Sequence, residues 1–180
     1  IDDYCFLLTY FCGWKFLKST GVDLNLNYPA GWEKARINKT KIGVIDVAPR
    51  DFVGYNALSE METSNMYKFS KNMKFDMTIS LHSQGEEIYW GANKIYEKKA
   101  FEIGKKFERI SKYKLTTPAY ESSFAGYKDW YIKEFGKPSY TIELGRGEEG
   151  KSFDFLKVKD VYNSVEEIFL YALKSVKEIE

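Results

Sequence analysis

The sequence contains very little histidine, since His82 is the only one among its 180 residues. Metal or acid–base chemistry that needs two imidazoles therefore cannot come from these residues alone. The two cysteines, Cys5 and Cys12, cannot form a disulfide framework, so the stability has to come from a packed core. No apolar run approaches the roughly 18 residues that a membrane-spanning helix requires. The sequence thus predicts a chain without a membrane span.

The sequence also lacks an excess of either charge. Its 27 basic and 26 acidic residues give a formal net charge of +1, which argues against a dedicated nucleic-acid-binding protein with a strongly basic face. Hydrophobic residues make up 44% and charged residues 29% of the chain, and this balance excludes a disordered or low-complexity chain. Aromatic residues are plentiful at 17%, which favours a well-packed core or an aromatic-lined cleft.

Short runs of apolar and β-branched residues predict buried strands at residues 77–81 and 140–144. An apolar stretch at residues 4–11 favours a further strand. Apolar residues at helical spacing predict amphipathic helices over about residues 92–110 and over the tail from residue 161 to 176. Strands that alternate with helices indicate an α/β architecture, and no linker or repeat divides the 180 residues into more than one domain.

Two further stretches carry local signals. Residues 21–32 are dense in Asn, Asp, Gly and Pro, which predicts a loop. Ser59 and Glu62 have the spacing of a capping box, which predicts the start of a helix at this point.

His82 comes directly after the predicted strand at residues 77–81. Ligand sites of α/β sheets gather at the carboxyl ends of strands, so a histidine at this position is well placed to bind a metal. A lone histidine can equally be a structural residue with satisfied hydrogen bonds. The pattern alone leaves both interpretations open, with the structural one favoured.

Glu143 lies within the second predicted strand, among otherwise apolar residues. Burial raises the pKa of a carboxyl group that has no partner, and a pKa near neutrality suits a general base. The alternative is a carboxylate held in an ion pair with Arg146 or with a nearby lysine.

Four motifs together carry a family resemblance, and they occur in the order in which that family has them. They are GVDLNLNYPAGW at residues 21–32, SLHSQGEEIYW at 80–90, AGYKDW at 125–130 and TIELG at 141–145. The chain resembles the carboxypeptidase A-like zinc metallopeptidases from about residue 14 to its C-terminus. Within that family it is most similar to the bacterial γ-D-glutamyl-meso-diaminopimelate peptidases of cell-wall metabolism. The resemblance implies a mixed central sheet flanked by helices and hydrolysis of peptide or muropeptide substrates.

The resemblance also implies roles for individual residues. His82 corresponds to a zinc ligand, and Glu143 corresponds to the general base that deprotonates the attacking water. Asn25 corresponds to an asparagine that holds the terminal carboxylate of the substrate. Tyr120 corresponds to the tyrosine that closes over the substrate, although its spacing to the AGYKDW motif is one residue longer than expected. Lys128 falls where the family sets the specificity of the pocket beyond the scissile bond, whereas a position outside such a pocket would make it an ordinary solvated lysine.

The chain departs from the family pattern at Leu26, where carboxypeptidases have an arginine. Loss of the guanidinium removes the planar, bidentate clamp for a C-terminal carboxylate, so a carboxypeptidase acting on ordinary C-terminal residues is the less favoured alternative. Lys128 could supply a positive charge for another carboxylate, such as one of those of diaminopimelate.

A second departure concerns the metal. The family draws its first two zinc ligands from a His-x-x-Glu motif upstream of the GVDLNLN motif, and these 180 residues have no second histidine. We therefore expect residues 1–180 to form the C-terminal part of a catalytic domain without its first strands. An uncovered sheet edge would then favour association with another chain. The alternative is a catalytically inactive remnant that binds peptides without zinc.

Overall fold

A computed structural model describes residues 6–10, 21–92, 95–147 and 155–176. The described residues form the strands β1 (Phe6–Tyr10), β2 (Met77–His82), β3 (Glu87–Tyr89), β4 (Lys114–Thr116) and β5 (Ser139–Glu143). They form the helices α1 (Trp32–Lys41), α2 (Met61–Met73), α3 (Lys98–Ser111), α4 (Tyr127–Phe135) and α5 (Val158–Val176). Short 3-10 turns lie at Leu24–Leu26, Tyr120–Ser122 and Phe155–Lys157.

The described strands form a five-stranded sheet in the order β1-β2-β5-β3-β4. Strands β1, β2 and β5 run parallel, β3 is antiparallel to β5, and β4 is parallel to β3. The carboxyl ends of β2 and β5 therefore lie at the same edge of the sheet as the amino ends of β3 and β4. This mixed sheet confirms the predicted α/β architecture.

One face of the sheet packs against α3 and α5. Ile79, Tyr140 and Ile142 on the strands are fully buried against Phe107 of α3 and Ile168 of α5. The wide apolar stripe of each helix provides this contact, since their polar and charged residues lie on the opposite side. This face holds the larger part of the hydrophobic core.

The other face of the sheet packs against α4. The strands carry small polar side chains here, and Thr78 Oγ1 lies 2.5 Å from Ser139 Oγ. The Tyr127 hydroxyl at the start of α4 bonds to Thr78 and lies 2.9 Å from Ser70 Oγ of α2. A second, aromatic cluster forms around α4, and its buried residues are Tyr28, Ala30, Phe75, Tyr127, Trp130 and Tyr131.

The structure corrects two local predictions. Helix α3 begins at Lys98 and not near residue 92. The Glu97 carboxylate caps it, since it accepts hydrogen bonds from the backbone amides of Lys99 and Ala100. Helix α2 does begin where the sequence predicted it, but Glu60 and not Ser59 is its N-cap, without a side-chain cap. No sequence pattern predicted α1, α4, β3 or β4.

None of the described helices combines the length and the apolar character that crossing a bilayer requires.

Candidate active site

His82 and Glu143 lie side by side at the carboxyl ends of β2 and β5. They are partners in the parallel ladder, and the Leu144 amide donates a hydrogen bond of 2.8 Å to the His82 carbonyl. The last residues of adjacent parallel strands share one sheet edge, where α/β proteins commonly bind their ligands. The structure thus brings together the two residues for which the sequence predicted chemistry.

The chain after each of these strands makes a glycine-rich turn, and the two turns contact each other. The Gly85 amide donates to the Gly145 carbonyl at 2.8 Å. A Cβ atom at Gly85 would lie only 3.1 Å from the Glu143 Cβ, so the backbone passes close to the base of this side chain. Gly145 has a φ of +67°, a conformation that other residues rarely adopt. Both glycines allow the turns to pack tightly around Glu143.

Glu143 is half-buried and faces a second carboxylate. Glu87 of β3 is its partner across the antiparallel ladder, so both side chains project from the same face of the sheet. Burial, and after it the negative charge of Glu87, raises the pKa of Glu143 to about 7. A carboxylate with this pKa can both accept and release a proton near neutral pH.

The ion pair that was the alternative interpretation of Glu143 is not formed with Arg146 or with any lysine that the structure describes. Arg146 Nε lies 3.4 Å from Glu86 Oε2, and this arginine is largely exposed. Glu87 in turn accepts a hydrogen bond of 2.6 Å from the Tyr89 hydroxyl. Among the described residues Glu143 therefore has no cationic partner, and its environment favours proton transfer over a structural salt bridge.

His82 is buried, with 9% of its surface exposed. Burial lowers its pKa to about 4, so the imidazole is neutral at pH 7. The neutral form is the one that binds metal ions.

The donor set of this site does not meet the requirements of a complete zinc site. A catalytic zinc site typically has three protein ligands, drawn from His, Cys, Asp and Glu. Within residues 6–10, 21–92, 95–147 and 155–176 no group of three such side chains is positioned to hold a metal. The described residues therefore fit one position of a zinc site, at His82, and do not complete it.

Asn25 lies on the 3-10 turn Leu24–Leu26 and is exposed. The Asp23 carboxylate caps this turn, since it accepts a 3.1 Å hydrogen bond from the backbone amide of Asn25. A Cβ atom at Gly126 would lie 3.9 Å from Asn25 Oδ1 and 2.9 Å from Asp129 Oδ2. The side-chain amide of Asn25 therefore lies beside Gly126, at the start of α4.

Asn27, two residues further on, is fully buried and fixes the shape of the loops around it. Its Nδ2 donates to the Val53 carbonyl at 2.9 Å, the Asn56 carbonyl at 3.0 Å and Ser59 Oγ at 3.0 Å. Its Oδ1 accepts hydrogen bonds from the Glu60 amide and from Thr63 Oγ1. No local pattern in the sequence indicates this role of Asn27, because its partners lie 26 to 36 residues away along the chain.

Lys128 is buried, with 5% of its surface exposed, so it is not a solvated lysine. Its Nζ donates to Asp129 Oδ1 at 2.7 Å and to the Gly91 carbonyl at 2.6 Å. An ammonium group has three donors, which leaves one for a further acceptor. No sequence pattern predicted Asp129 as its partner.

Tyr120 lies on the 3-10 turn that precedes α4, and 55% of its surface is exposed. Its ring makes an edge-to-face contact with the ring of Phe124, at 5.1 Å between the ring centroids. A side chain with this exposure can change its orientation at low cost.

The five predicted residues thus fall into two groups. His82 and Glu143 lie on the strand ends. Asn25 and Lys128 lie beside the start of α4, and Tyr120 lies on the turn that precedes this helix. The chain segment from Glu87 to Gly91 connects the two groups. Glu87 of β3 faces Glu143, and the Gly91 carbonyl, just after β3, accepts a hydrogen bond from Lys128.

A comparison with protein families identifies the chain. The zinc carboxypeptidase family profile matches residues 15–169, so the chain belongs to the zinc carboxypeptidase family. The chain resembles a carboxypeptidase A from Helicoverpa armigera with a TM-score of 0.60 and 21% sequence identity, over 89% of this chain and 42% of the other. This likeness confirms the carboxypeptidase fold.

Two curated relatives are more similar in sequence. An uncharacterized Bacillus subtilis protein, YqgT, is 35% identical over 89% of this chain and 41% of its own length. A γ-D-glutamyl-L-diamino acid endopeptidase 1 from Lysinibacillus sphaericus is 36% identical over 76% of this chain and 33% of its own length. The chain therefore spans less than half the length of the curated relatives it matches.

Proposed function

We propose that this chain supplies the general base and one zinc ligand of a metallopeptidase that cleaves γ-D-glutamyl-diaminopimelate bonds in bacterial cell-wall peptides. The adjacent placement of His82 and Glu143 at the ends of β2 and β5 is the observation that carries the proposal. Membership of the zinc carboxypeptidase family supports the reaction class. The 36% identity to a γ-D-glutamyl-L-diamino acid endopeptidase supports the substrate class.

Glu143 is the proposed proton carrier. As a carboxylate it takes a proton from the water that attacks the scissile carbonyl, and as a carboxylic acid it gives that proton to the leaving amine. A pKa of about 7 suits both steps, because neither form of the side chain is strongly disfavoured near neutral pH.

His82 is proposed as a zinc ligand in an enzyme that also contains the remaining ligands. Bound zinc supplies an acidified water and polarises a carbonyl group. The neutral imidazole of His82, buried next to Glu143, is suited to this position.

Asn25, Tyr120 and Lys128 are the proposed substrate contacts. Leu26 provides no guanidinium where carboxypeptidases have one, so a planar clamp for a C-terminal carboxylate is missing at this position. The remaining donor of Lys128 suits a carboxylate of the diamino acid instead.

A comparison of two substrates tests the proposal. The zinc-loaded full protein is given a tripeptide with a γ-D-glutamyl-diaminopimelate bond and, in parallel, an α-peptide with a free C-terminus. Hydrolysis of the first with little hydrolysis of the second is expected, and chelation of zinc should abolish it. A preference for the α-peptide would overturn the cell-wall assignment in favour of a carboxypeptidase.

The incomplete donor set favours one alternative, a peptide-binding protein without catalysis. The described residues contribute one zinc ligand rather than three. Binding of the γ-D-glutamyl tripeptide that persists in chelator and in the His82→Ala variant, without turnover in the wild type, would support this alternative.

A further inference from the structure

We infer that Tyr113 is a positioning residue for Glu143, which acts by fixing the turn at the end of β5. The inference rests on the proposed role of Glu143 as the base. Tyr113 follows α3 and is buried, with 4% of its surface exposed. Its ring belongs to the core between the sheet, α3 and α5, so its hydroxyl is held by a rigid part of the molecule.

The Tyr113 hydroxyl binds the backbone two residues after Glu143. It accepts a hydrogen bond of 3.0 Å from the buried Gly145 amide. The Gly145 carbonyl in turn accepts the Gly85 amide at 2.8 Å, and Gly85 is the residue whose backbone passes close to the Glu143 Cβ. One phenol therefore connects to both turns that enclose the base.

A second hydrogen bond orients the phenol. Its oxygen lies 3.2 Å from Ser164 Oγ of α5, and the Ser164 hydroxyl already donates to the Val161 carbonyl at 2.7 Å. The phenolic proton is therefore the one shared with Ser164, which leaves the lone pairs of the phenol for the Gly145 amide. Helix α5 thus holds the phenol in the orientation that accepts from the turn.

The sheet ladder alone does not fix this turn. The last hydrogen bond between this segment and β2 is the one from the Leu144 amide, directly after β5, to the His82 carbonyl. Gly145 has left the ladder in a left-handed conformation, and its buried amide has the phenol as its acceptor. Without the phenol this amide has no acceptor, and the turn has to move to find one.

The expected consequence is a loss of turnover without a loss of binding. A displacement of about 1 Å at a catalytic group can reduce the rate by roughly 100-fold, and a partial displacement in Tyr113→Phe should reduce kcat about tenfold. The KM should stay within about twofold of the wild-type value, because Asn25, Tyr120 and Lys128 lie on other elements.

The test compares three variants of the zinc-loaded full protein on the γ-D-glutamyl tripeptide. Tyr113→Phe should lower kcat alone. Tyr131→Phe is the matched control, because it too removes the hydroxyl of a buried tyrosine, in this case one that donates to the Phe75 carbonyl. It should retain the wild-type kcat. Ser164→Ala should have a smaller effect than Tyr113→Phe, since the acceptor of Gly145 remains. Equal losses of kcat in Tyr113→Phe and Tyr131→Phe would reduce Tyr113 to a residue of general stability and overturn the inference.

Amide hydrogen exchange separates this inference from the proposed function. The segment containing Gly145 should exchange faster in Tyr113→Phe than in the wild type or in Tyr131→Phe. Faster exchange in a protein that hydrolyses neither peptide would contradict the proposed function and leave the structural connection intact. Unchanged exchange and unchanged kcat in Tyr113→Phe, in an active protein, would overturn the inference alone.

Discussion

His82 and Glu143 are placed by the hydrogen-bond ladder of the sheet, whereas Asn25, Tyr120 and Lys128 are placed by side-chain contacts around the start of α4. The first two occupy opposed positions of adjacent strands, so their separation follows from the backbone. The other three depend on capping by Asp23, on the buried Lys128–Asp129 pair and on the ring of Phe124. We therefore expect mutations to affect the two regions differently, with chemistry lost at the strand ends and stability or binding lost around α4.

The largest effect is expected at the strand ends. Glu143→Gln should lower kcat by about 1,000-fold, within the range for the loss of a general acid–base, and should leave zinc binding and the melting temperature close to the wild-type values. Steady-state kinetics on the γ-D-glutamyl tripeptide provide the measurement. Glu86→Gln is the matched control, because Glu86 is paired with the exposed Arg146 and takes no proposed part in proton transfer. If Glu143→Gln kept more than about a tenth of the wild-type kcat, the base assignment would fail.

The next effect concerns the buried ion pair next to α4. Lys128→Met leaves the Asp129 carboxylate buried without its cation, and loss of one partner of a buried pair costs about 3–5 kcal/mol of unfolding free energy. Lys71→Met removes a pair with Glu134 in which both side chains are partly exposed, at 42% and 36%, and it should cost less than about 1 kcal/mol. Urea unfolding of both variants measures the difference. Similar values for the two would contradict the structural role of Lys128.

A smaller loss is expected at Asn27. Asn27→Ala removes a buried amide that bonds to the loop around residues 53–63, and the groups left without partners should lower the unfolding free energy by about 3 kcal/mol. The exposed Asn56 serves as the control, since its truncation to alanine should change stability by about 0.5 kcal/mol or less. An equal effect of both substitutions would mean that the Asn27 amide does not organise this loop.

The smallest effect distinguishes two tyrosines of the aromatic cluster. The Tyr28 hydroxyl is buried and has no hydrogen-bond partner among the described residues, so Tyr28→Phe should leave the unfolding free energy unchanged or raise it by up to about 1 kcal/mol. Tyr131→Phe, which loses the bond to the Phe75 carbonyl, should lower it by about 1 kcal/mol. Thermal melts of the two variants should therefore shift in different directions or by clearly different amounts.

The sequence predicted the strands that carry His82 and Glu143 for a physical reason. Buried parallel strands produce continuous apolar runs, and a histidine after such a run or a glutamate within it stands out. The roles of His82 and Glu143 come from the family resemblance, and the structure places Glu143 at the end of its strand rather than within it. Strands β3 and β4 have three residues each, too few to show a period. Helix α4 is buried over Tyr127–Ile132 on every side, so it has no amphipathic pattern to indicate a helix.

The partners within the site could not be predicted in the same way. Glu87 faces Glu143 only because β3 runs antiparallel to β5, and strand direction is not visible in a pattern of apolar residues. Neighbours along a helix ordinarily point in different directions, so Asp129 was not an obvious partner of Lys128. The role of Asn27 depends on contacts with a loop more than 25 residues away, and nothing in the local sequence indicates them.

Zinc titration of the full protein tests most directly whether His82 and Glu143 divide the chemistry as proposed. The wild type and Glu143→Gln should each bind one zinc ion with equal affinity, because the base is not a ligand. His82→Ala should bind zinc roughly 100-fold more weakly or not at all, since the loss of a direct ligand should cost at least as much as the loss of an outer-shell partner. Equal zinc affinity in the wild type and in His82→Ala would contradict the account.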